Sequence, residues 1–186
     1  MAVDRPNHPD APSGKEEKYA RVERERRFLL AAAPAGTPTR RFLIEDHYLR
    51  GTRLRLRRMT DLNAPGARVF YKLTQKIPTA AGTPGLITNL YLSAAEYAAL
   101  VGVPGDVIRK VRSSFPPLGV DVFEGSLSGL VLAEAEFETA AEEARFRPPA
   151  GVIAEVTADS RFTGGSLAKL GINETAQLLT VFGIER

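Results

Sequence analysis

Glu23, Glu25 and Arg27 are the first residues of the chain whose types and spacing could support chemistry. They alternate with Arg24 and Arg26 just before a short apolar run. In a β-strand, alternate side chains share one face at a spacing of about 7 Å. Carboxylates suit a hard divalent cation, and a guanidinium suits a phosphate group. The stretch therefore predicts a strand with one face able to bind metal and phosphate.

Later segments repeat this alternation of charged and apolar residues. The charged members of six such segments are Glu23, Glu25, Arg27, Arg53, Arg55, Arg57, Lys72, Lys76, Lys110, Arg112, Glu134, Glu136 and Glu155. Except in the first segment, the alternate positions are mostly apolar and should be buried under helices. The charged face would then be the open side of a sheet or the inside of a closed barrel.

The two arrangements differ in their energetics. A dry barrel interior holding so many ions is untenable, because each uncompensated ion would cost several kcal/mol. A wet tunnel that holds a polyanion and a divalent metal avoids that cost. The alternative is a solvated sheet face with weak ion pairs, each worth about 0–1 kcal/mol. Agreement among six segments that carry both signs of charge favours a functional surface.

Composition narrows the class of protein. The length of 186 residues fits one domain, and the polar, proline-rich stretch 1–18 predicts a disordered tail before a domain at 19–186. The absence of cysteine excludes disulfides and thiolate chemistry, and two histidines disfavour zinc sites and Ser-His-Asp triads. Segregated basic residues predict an anionic partner. No apolar run long enough for a membrane span and no signal core are present, so we expect a cytoplasmic protein.

The pattern of turns and short alternating runs predicts an α+β fold. Strands are expected at 19–30, 42–49, 53–57, 69–76, 86–92, 107–114, 119–123, 131–138 and 153–157. Residues 131–145 have helical propensity throughout, but their first half alternates with a strand period. Capping boxes at Ser93 and Thr139 predict helix starts there. Two further helices are expected near 165–170 and 174–182, and residues 78–85 are expected to form a loop.

These segments together resemble the CYTH domains, also called triphosphate tunnel metalloenzymes. Glu23-x-Glu25-x-Arg27 resembles the ExExK signature of that family. The likeness continues in order through Tyr48-Leu49, Arg53–Arg57, Lys72–Lys76, Ile108–Arg112, Val120–Gly125, Leu132–Phe137 and Glu155–Phe162. It covers roughly residues 19–170, and it is the order of the motifs that makes it specific.

The resemblance implies an eight-stranded antiparallel β-barrel, or tunnel, with helices packed outside and a triphosphate and divalent cation inside. It implies Mg²⁺ or Mn²⁺ ligation by Glu23, Glu25, Glu134 and Glu136. The phosphate ligands that it implies are Arg27, Arg55, Arg57, Lys76, Lys110 and Arg112. Arg53 and Lys72 share the same faces and are added as candidates from the alternation. Lys110 and Tyr48 match the positions of a Lys–Tyr pair thought to position or activate water in the bacterial tripolyphosphatase branch.

Three positions depart from the family pattern. Arg27 stands where the signature has lysine, which exchanges a compact point donor for a planar fork. Ile87-Thr88-Asn89 stands where many relatives carry an acidic pair, and that difference could weaken a second metal site or alter substrate choice. Gly164 stands where relatives often have asparagine.

The expected function is metal-dependent hydrolysis of a small triphosphate, with inorganic tripolyphosphate favoured and polyphosphate as a related partner. The alternatives are an adenylate cyclase or thiamine triphosphatase on the same fold, or a non-catalytic module that binds polyphosphate or nucleotides. We expect no nucleic acid partner, because the basic strips lack interleaved aromatic residues for base stacking. No membrane partner is expected, and the sequence leaves the oligomeric state open, a homodimer included.

Overall fold

The computed structural model of the chain describes residues 19–77 and 85–185. The predicted tail at 1–18 and nearly all of the predicted loop at 78–85 lie outside the described residues.

Within residues 19–77 and 85–185, nine strands occur where the alternating runs predict them. They are β1 (Arg21–Leu30), β2 (Arg40–Leu49), β3 (Leu54–Asp61), β4 (Val69–Ile77), β5 (Gly85–Leu92), β6 (Gly105–Phe115), β7 (Leu118–Phe123), β8 (Val131–Phe137) and β9 (Val152–Glu155). The strand period of residues 131–138 prevails over their helical propensity, because both faces of β8 are used in packing or in the barrel interior.

Eight of the strands close into an antiparallel barrel. The order of hydrogen-bonded neighbours is β5-β4-β3-β2-β6-β7-β8-β1, and β1 also pairs with β5 through residues 21–23 and 85–87. β9 adds to β1 beside Phe28–Leu30. The predicted eight-stranded antiparallel β-barrel is therefore confirmed, with β9 as an additional strand.

In the part of the chain that the structure describes, four short helices accompany the barrel. They are α1 (Ala94–Leu100), α2 (Ala140–Arg145), α3 (Gly164–Leu167) and α4 (Ile172–Thr180). Both predicted capping boxes are formed, at Ser93 for α1 and at Thr139 for α2. No helix among the described residues is long and apolar enough to cross a membrane.

Strand alternation places the charged faces inside the barrel and divides the apolar residues between two clusters. One cluster closes an end of the interior, where Leu29, Phe123 and Leu132 pack against residues of α3, α4 and the 3₁₀ turn Ser160–Phe162. The other lies on the outer face of β1, β7 and β8 and includes Phe28, which contacts the ring of Phe146. Helices α3 and α4 thus cover one end of the barrel, α2 lies against β1 and β8, and α1 lies against β4 and β5. The charged interior lies beside the apolar end.

Candidate functional site

A cavity of about 570 Å³ occupies the barrel interior. This size lies within the range of small-molecule sites, about 300–1,000 Å³. All the site residues predicted from the sequence line it, namely Glu23, Glu25, Arg27, Tyr48, Arg53, Arg55, Arg57, Lys72, Lys76, Lys110, Arg112, Glu134 and Glu136. The charged face of the strands is therefore an enclosed surface and not the open side of a sheet.

A buried aspartate on β2 holds two of the arginines on β3. Asp46 is fully buried, and its two carboxylate oxygens accept hydrogen bonds from Arg57 Nε at 2.5 Å and Nη2 at 2.6 Å. Arg55 Nε lies 3.4 Å from the same carboxylate. Burial alone would raise the pKa of Asp46, but Arg57 and Arg55 outweigh it and hold that pKa well below its usual range. Asp46 therefore stays ionised and fixes the guanidinium of Arg57.

A second buried aspartate, on β7, holds two basic residues of β6. Asp121 accepts hydrogen bonds from Lys110 Nζ at 2.6 Å and from Arg112 Nε and Nη2 at 2.7 and 2.6 Å. Arg112 Nη2 also donates to Glu134 on β8. Burial opposes the charge of Arg112, yet Asp121 and Glu134 raise its pKa well above the ordinary value. Four cations of the cavity are thus oriented by two carboxylates that lie in or behind its wall.

Lys72 on β4 differs from these clamped cations. No carboxylate of the described residues pairs with it, and burial, reinforced by Arg57 and Arg55, lowers its pKa to about 8. Its neighbour Thr74 connects two strands, since its hydroxyl accepts from Arg55 Nη2 at 3.3 Å and donates to Asn89 Oδ1 at 2.8 Å. Asn89 thus supports Arg55 at one of the positions where the family resemblance would place a carboxylate.

The four glutamates lie on the neighbouring strands β1 and β8. Glu25 faces Glu136 across the strand pair. Glu23 forms an ion pair with Lys76 at 2.8 Å, and Glu134 pairs with Arg112. Burial raises the pKa of Glu25, an effect that Lys76 opposes and that Glu134 and Glu23 reinforce. The Glu25 carboxylate therefore lies in a place where added positive charge would be stabilising.

These carboxylates can be compared with what a divalent cation requires. Among the described residues, no three carboxylate or imidazole groups converge closely enough to hold a metal ion between them. Mg²⁺, however, usually keeps several waters and is held by one or two carboxylates together with substrate phosphates. Glu23 and Glu25 fit that requirement by chemistry and by the crowding of negative charge at Glu25.

Tyr48 lies where the interior meets the closed end. Burial, and then the charge of Asp46, raise the pKa of the phenol to about 12, so it is protonated at neutral pH. Its hydroxyl abuts Gly164 at the start of α3, where an added Cβ would lie 1.8 Å from the hydroxyl oxygen. This contact explains why glycine is needed at the third position that departs from the family pattern.

Arg27 lines the cavity, but its guanidinium donates hydrogen bonds to backbone carbonyls of the segment that follows β9. Nη1 donates to the carbonyl of Phe162 at 2.6 Å, and Nη2 donates to the carbonyl of Thr157 at 3.0 Å. Its Nε lies 3.6 Å from a carboxylate oxygen of Glu25. The arginine fork therefore joins β1 to the segment that follows β9.

The structure corrects the sequence reading at one residue and extends it at two others. Glu155, grouped above with the interior charges, lies on the outer face, where it accepts two hydrogen bonds from Arg26 at 2.9 and 2.7 Å. Asp46 was missed because three polar residues in succession, 45–47, hide the strand alternation. Asp121 supports two basic side chains of the cavity, as its hydrogen bonds with Lys110 and Arg112 show.

The fold and site together define a class of protein, namely a closed antiparallel β-barrel whose enclosed interior is lined by basic and acidic side chains. The chain is similar to the solved structure of the inorganic triphosphatase NE1496, with 26% identity and a TM-score of 0.52 over 79% of this chain and 94% of that chain. A second structure, described as the hypothetical protein NE1496, aligns with 27% identity and a TM-score of 0.51 over 79% of this chain and 97% of that one. No protein-family profile and no curated protein matches the chain.

Proposed function

We propose that this protein hydrolyses small triphosphates, with inorganic tripolyphosphate as the favoured substrate and Mg²⁺ or Mn²⁺ as the cofactor. The observation that carries the proposal is the enclosed cavity, whose walls bring the basic residues of β3, β4 and β6 together with the glutamates of β1 and β8. The similarity to an inorganic triphosphatase at 26% identity supports the same function.

The basic residues would bind the phosphate chain. Arg57 donates from Nε and Nη2 to Asp46, and Arg112 donates from the same two nitrogens to Asp121. No described residue accepts a hydrogen bond from Nη1 of either arginine. An arginine oriented in this way can donate to a phosphate oxygen without first reorganising. Lys72, which has no carboxylate partner among the described residues, supplies a charge that a phosphate group would satisfy.

The acidic side of the cavity would hold the metal ion. Glu23 and Glu25 would provide the protein ligands, with Glu136 opposite Glu25 and Glu134 beside them. When bound, Mg²⁺ or Mn²⁺ would supply positive charge that neutralises the charge developing during phosphoryl transfer.

Tyr48 and Lys110 would position the attacking water by hydrogen bonding. A phenol with a pKa of about 12 remains protonated, so Tyr48 can orient water by hydrogen bonding but does not accept its proton at neutral pH. Lys110 is held by Asp121 at 2.6 Å and can donate from its remaining N–H groups.

Release of inorganic phosphate from tripolyphosphate, ATP and thiamine triphosphate, each with Mg²⁺ and with Mn²⁺, tests the proposal. We expect tripolyphosphate to be hydrolysed fastest and the variant Glu23→Gln/Glu25→Gln to lose at least 100-fold in kcat. Glu45→Gln, on the outer surface, is the matched control and should keep wild-type activity. Tight binding of tripolyphosphate without turnover under every metal condition would instead favour a binding module.

A further inference from the structure

Arg27 makes a set of contacts that differs from those of the other cations in the cavity. Besides the two carbonyl contacts of its guanidinium, its backbone N–H donates to Thr157 Oγ1 at 3.0 Å, and its carbonyl accepts from the N–H of Val156 at 2.8 Å. Four hydrogen bonds thus join this residue to residues 156–162. Arg57 and Arg112, by contrast, are held by side-chain carboxylates.

The segment held in this way, residues 156–164, closes one end of the cavity. Val156 and Phe162 are buried in the cluster that also contains Leu29. The following residues, Thr163 and Gly164, line the cavity, and Gly164 touches the hydroxyl of Tyr48. A shift of this segment would therefore move both the end wall of the cavity and the phenol.

The guanidinium of an arginine can make both carbonyl contacts, whereas the ammonium of a lysine cannot. The two carbonyl oxygens belong to residues five positions apart, and two separate nitrogens of the guanidinium reach them. A lysine has a single nitrogen on a flexible stem. Its charge could still be balanced by Glu25, but one of the carbonyl contacts would be lost.

We propose that Arg27 is a positioning residue, which fixes the 156–164 segment against β1 and so sets the end wall of the cavity, and that it is not a phosphate ligand. The expected effect of Arg27 on turnover rests on the proposed triphosphatase function, whereas its expected effect on the position of the 156–164 segment does not. The departure from the family signature at this position would then be a change of role from ligand to tether.

The first test compares Arg27→Lys, which keeps the charge, with Lys72→Gln, which removes a cation from the same cavity. Hydrogen–deuterium exchange of the backbone amides at 157–167 should increase at least tenfold in Arg27→Lys and stay at the wild-type level in Lys72→Gln. Thr157→Val removes the acceptor of the Arg27 N–H and leaves the contacts of the guanidinium in place. It should therefore raise exchange in the same region, by less than Arg27→Lys does. Wild-type exchange in both Arg27→Lys and Thr157→Val would overturn the proposal.

The second test separates positioning from phosphate binding. Calorimetric titration with tripolyphosphate in the absence of metal should give a Kd for Arg27→Lys and for Arg27→Gln within about twofold of wild type, and a Kd at least tenfold weaker for Lys72→Gln. In turnover, kcat of Arg27→Lys should fall with KM little changed. Loss of affinity in Arg27→Gln equal to that in Lys72→Gln would show that Arg27 is a phosphate ligand. If the wild type neither binds nor hydrolyses a triphosphate, the proposed function fails, and hydrogen exchange still decides the role of Arg27.

Discussion

At the scale of single residues, Lys72 connects the electrostatics of the cavity to a measurable dependence on pH. With a pKa of about 8, the ammonium is mostly charged below that pH and mostly neutral above it. A phosphate group binds the charged form, so binding above pH 8 must be accompanied by proton uptake.

We therefore predict that the affinity for tripolyphosphate weakens as pH rises from 7.5 to 9.5 and that binding at pH 8.5 takes up a proton. Titration calorimetry in two buffers of different ionisation enthalpy measures that uptake. The variant Lys72→Arg keeps a positive charge throughout this range, so its affinity should weaken much less than that of the wild type. Equal proton uptake by wild type and Lys72→Arg would assign the titration to another group.

Asp46 gives a prediction for stability. Because it is fully buried and paired with Arg57 through two hydrogen bonds, Asp46→Asn leaves a buried guanidinium without its counter-charge. The free energy of unfolding should fall by about 3–5 kcal/mol at pH 7. Urea denaturation measures the change, and Glu45→Gln, which breaks the partly exposed pair with Arg58, should cost no more than about 1 kcal/mol.

The same pair predicts how stability depends on acid. The folded-state pKa of Asp46 is depressed, so its contribution is present above its unfolded pKa of about 4 and is lost as pH falls towards the folded value. The difference in stability between wild type and Asp46→Asn should therefore narrow when the pH is lowered from 5 to 2. A difference that stays constant over this range would contradict the ionised state of Asp46.

At the scale of elements, the first turn of α3 constrains the position of the Tyr48 phenol. A Cβ on Gly164 would lie 1.8 Å from the hydroxyl of Tyr48, whereas a Cβ on the adjacent Gly165 would lie at 3.9 Å from the same ring, an ordinary contact. We predict that Gly164→Ala lowers the free energy of unfolding by about 1–3 kcal/mol and reduces kcat, because the phenol or α3 must move. Gly165→Ala is the matched control and should change both by far less, as measured by urea denaturation and phosphate release.

Several elements could be predicted from the sequence because local rules determine them. The alternation Arg53-Leu54-Arg55-Leu56-Arg57 defines both the strand and its inner face, and all three arginines line the cavity. The Thr139 capping box divided the Ala/Glu-rich run into strand and helix correctly, because its side chain and that of Glu142 satisfy free N–H groups at the helix start.

Other features could not be predicted because they depend on contacts between distant residues. The hydrogen bonds of Arg27 to Thr157 and Phe162 depend on how the chain returns to β1 after nine strands. The clamp between Asp46 and Arg57 requires knowing which face of β2 points inward, and its polar run 45–47 does not show this. The alternation shows which side chains share a face, but it does not show which strands are neighbours or what they enclose.

At the scale of the whole molecule, the cavity holds more positive than negative charge. Eleven basic side chains and five carboxylates line it, and the buried carboxylates of Asp46 and Asp121 behind the wall bring the acidic total to seven. This leaves an excess of four positive charges, 11 − 7, in and around an enclosed volume. Self-repulsion of this kind is relieved when a polyanion binds.

We predict that tripolyphosphate without metal raises the melting temperature of the protein. At a concentration of 100 times Kd, the stabilisation should be about 2.7 kcal/mol, and it should decrease as salt is added. Differential scanning fluorimetry measures the shift. The double variant Arg55→Gln/Lys72→Gln should show a much smaller one, and an equal shift in that variant would place the anion outside the cavity.

The pairing of β1 with three strands has a consequence for how the protein folds. β2 to β5 can assemble through hairpins between neighbours in the chain, whereas Arg24 of β1 pairs with Phe137 of β8 and Phe28 pairs with Glu155 of β9. Contacts so distant in sequence are slow to form, because a long loop must close before they are made. During synthesis, β1 must therefore wait until more than a hundred further residues have left the ribosome before it can pair with β8 and β9, and the carboxylates of β1 and β8 are among the last parts of the cavity to meet.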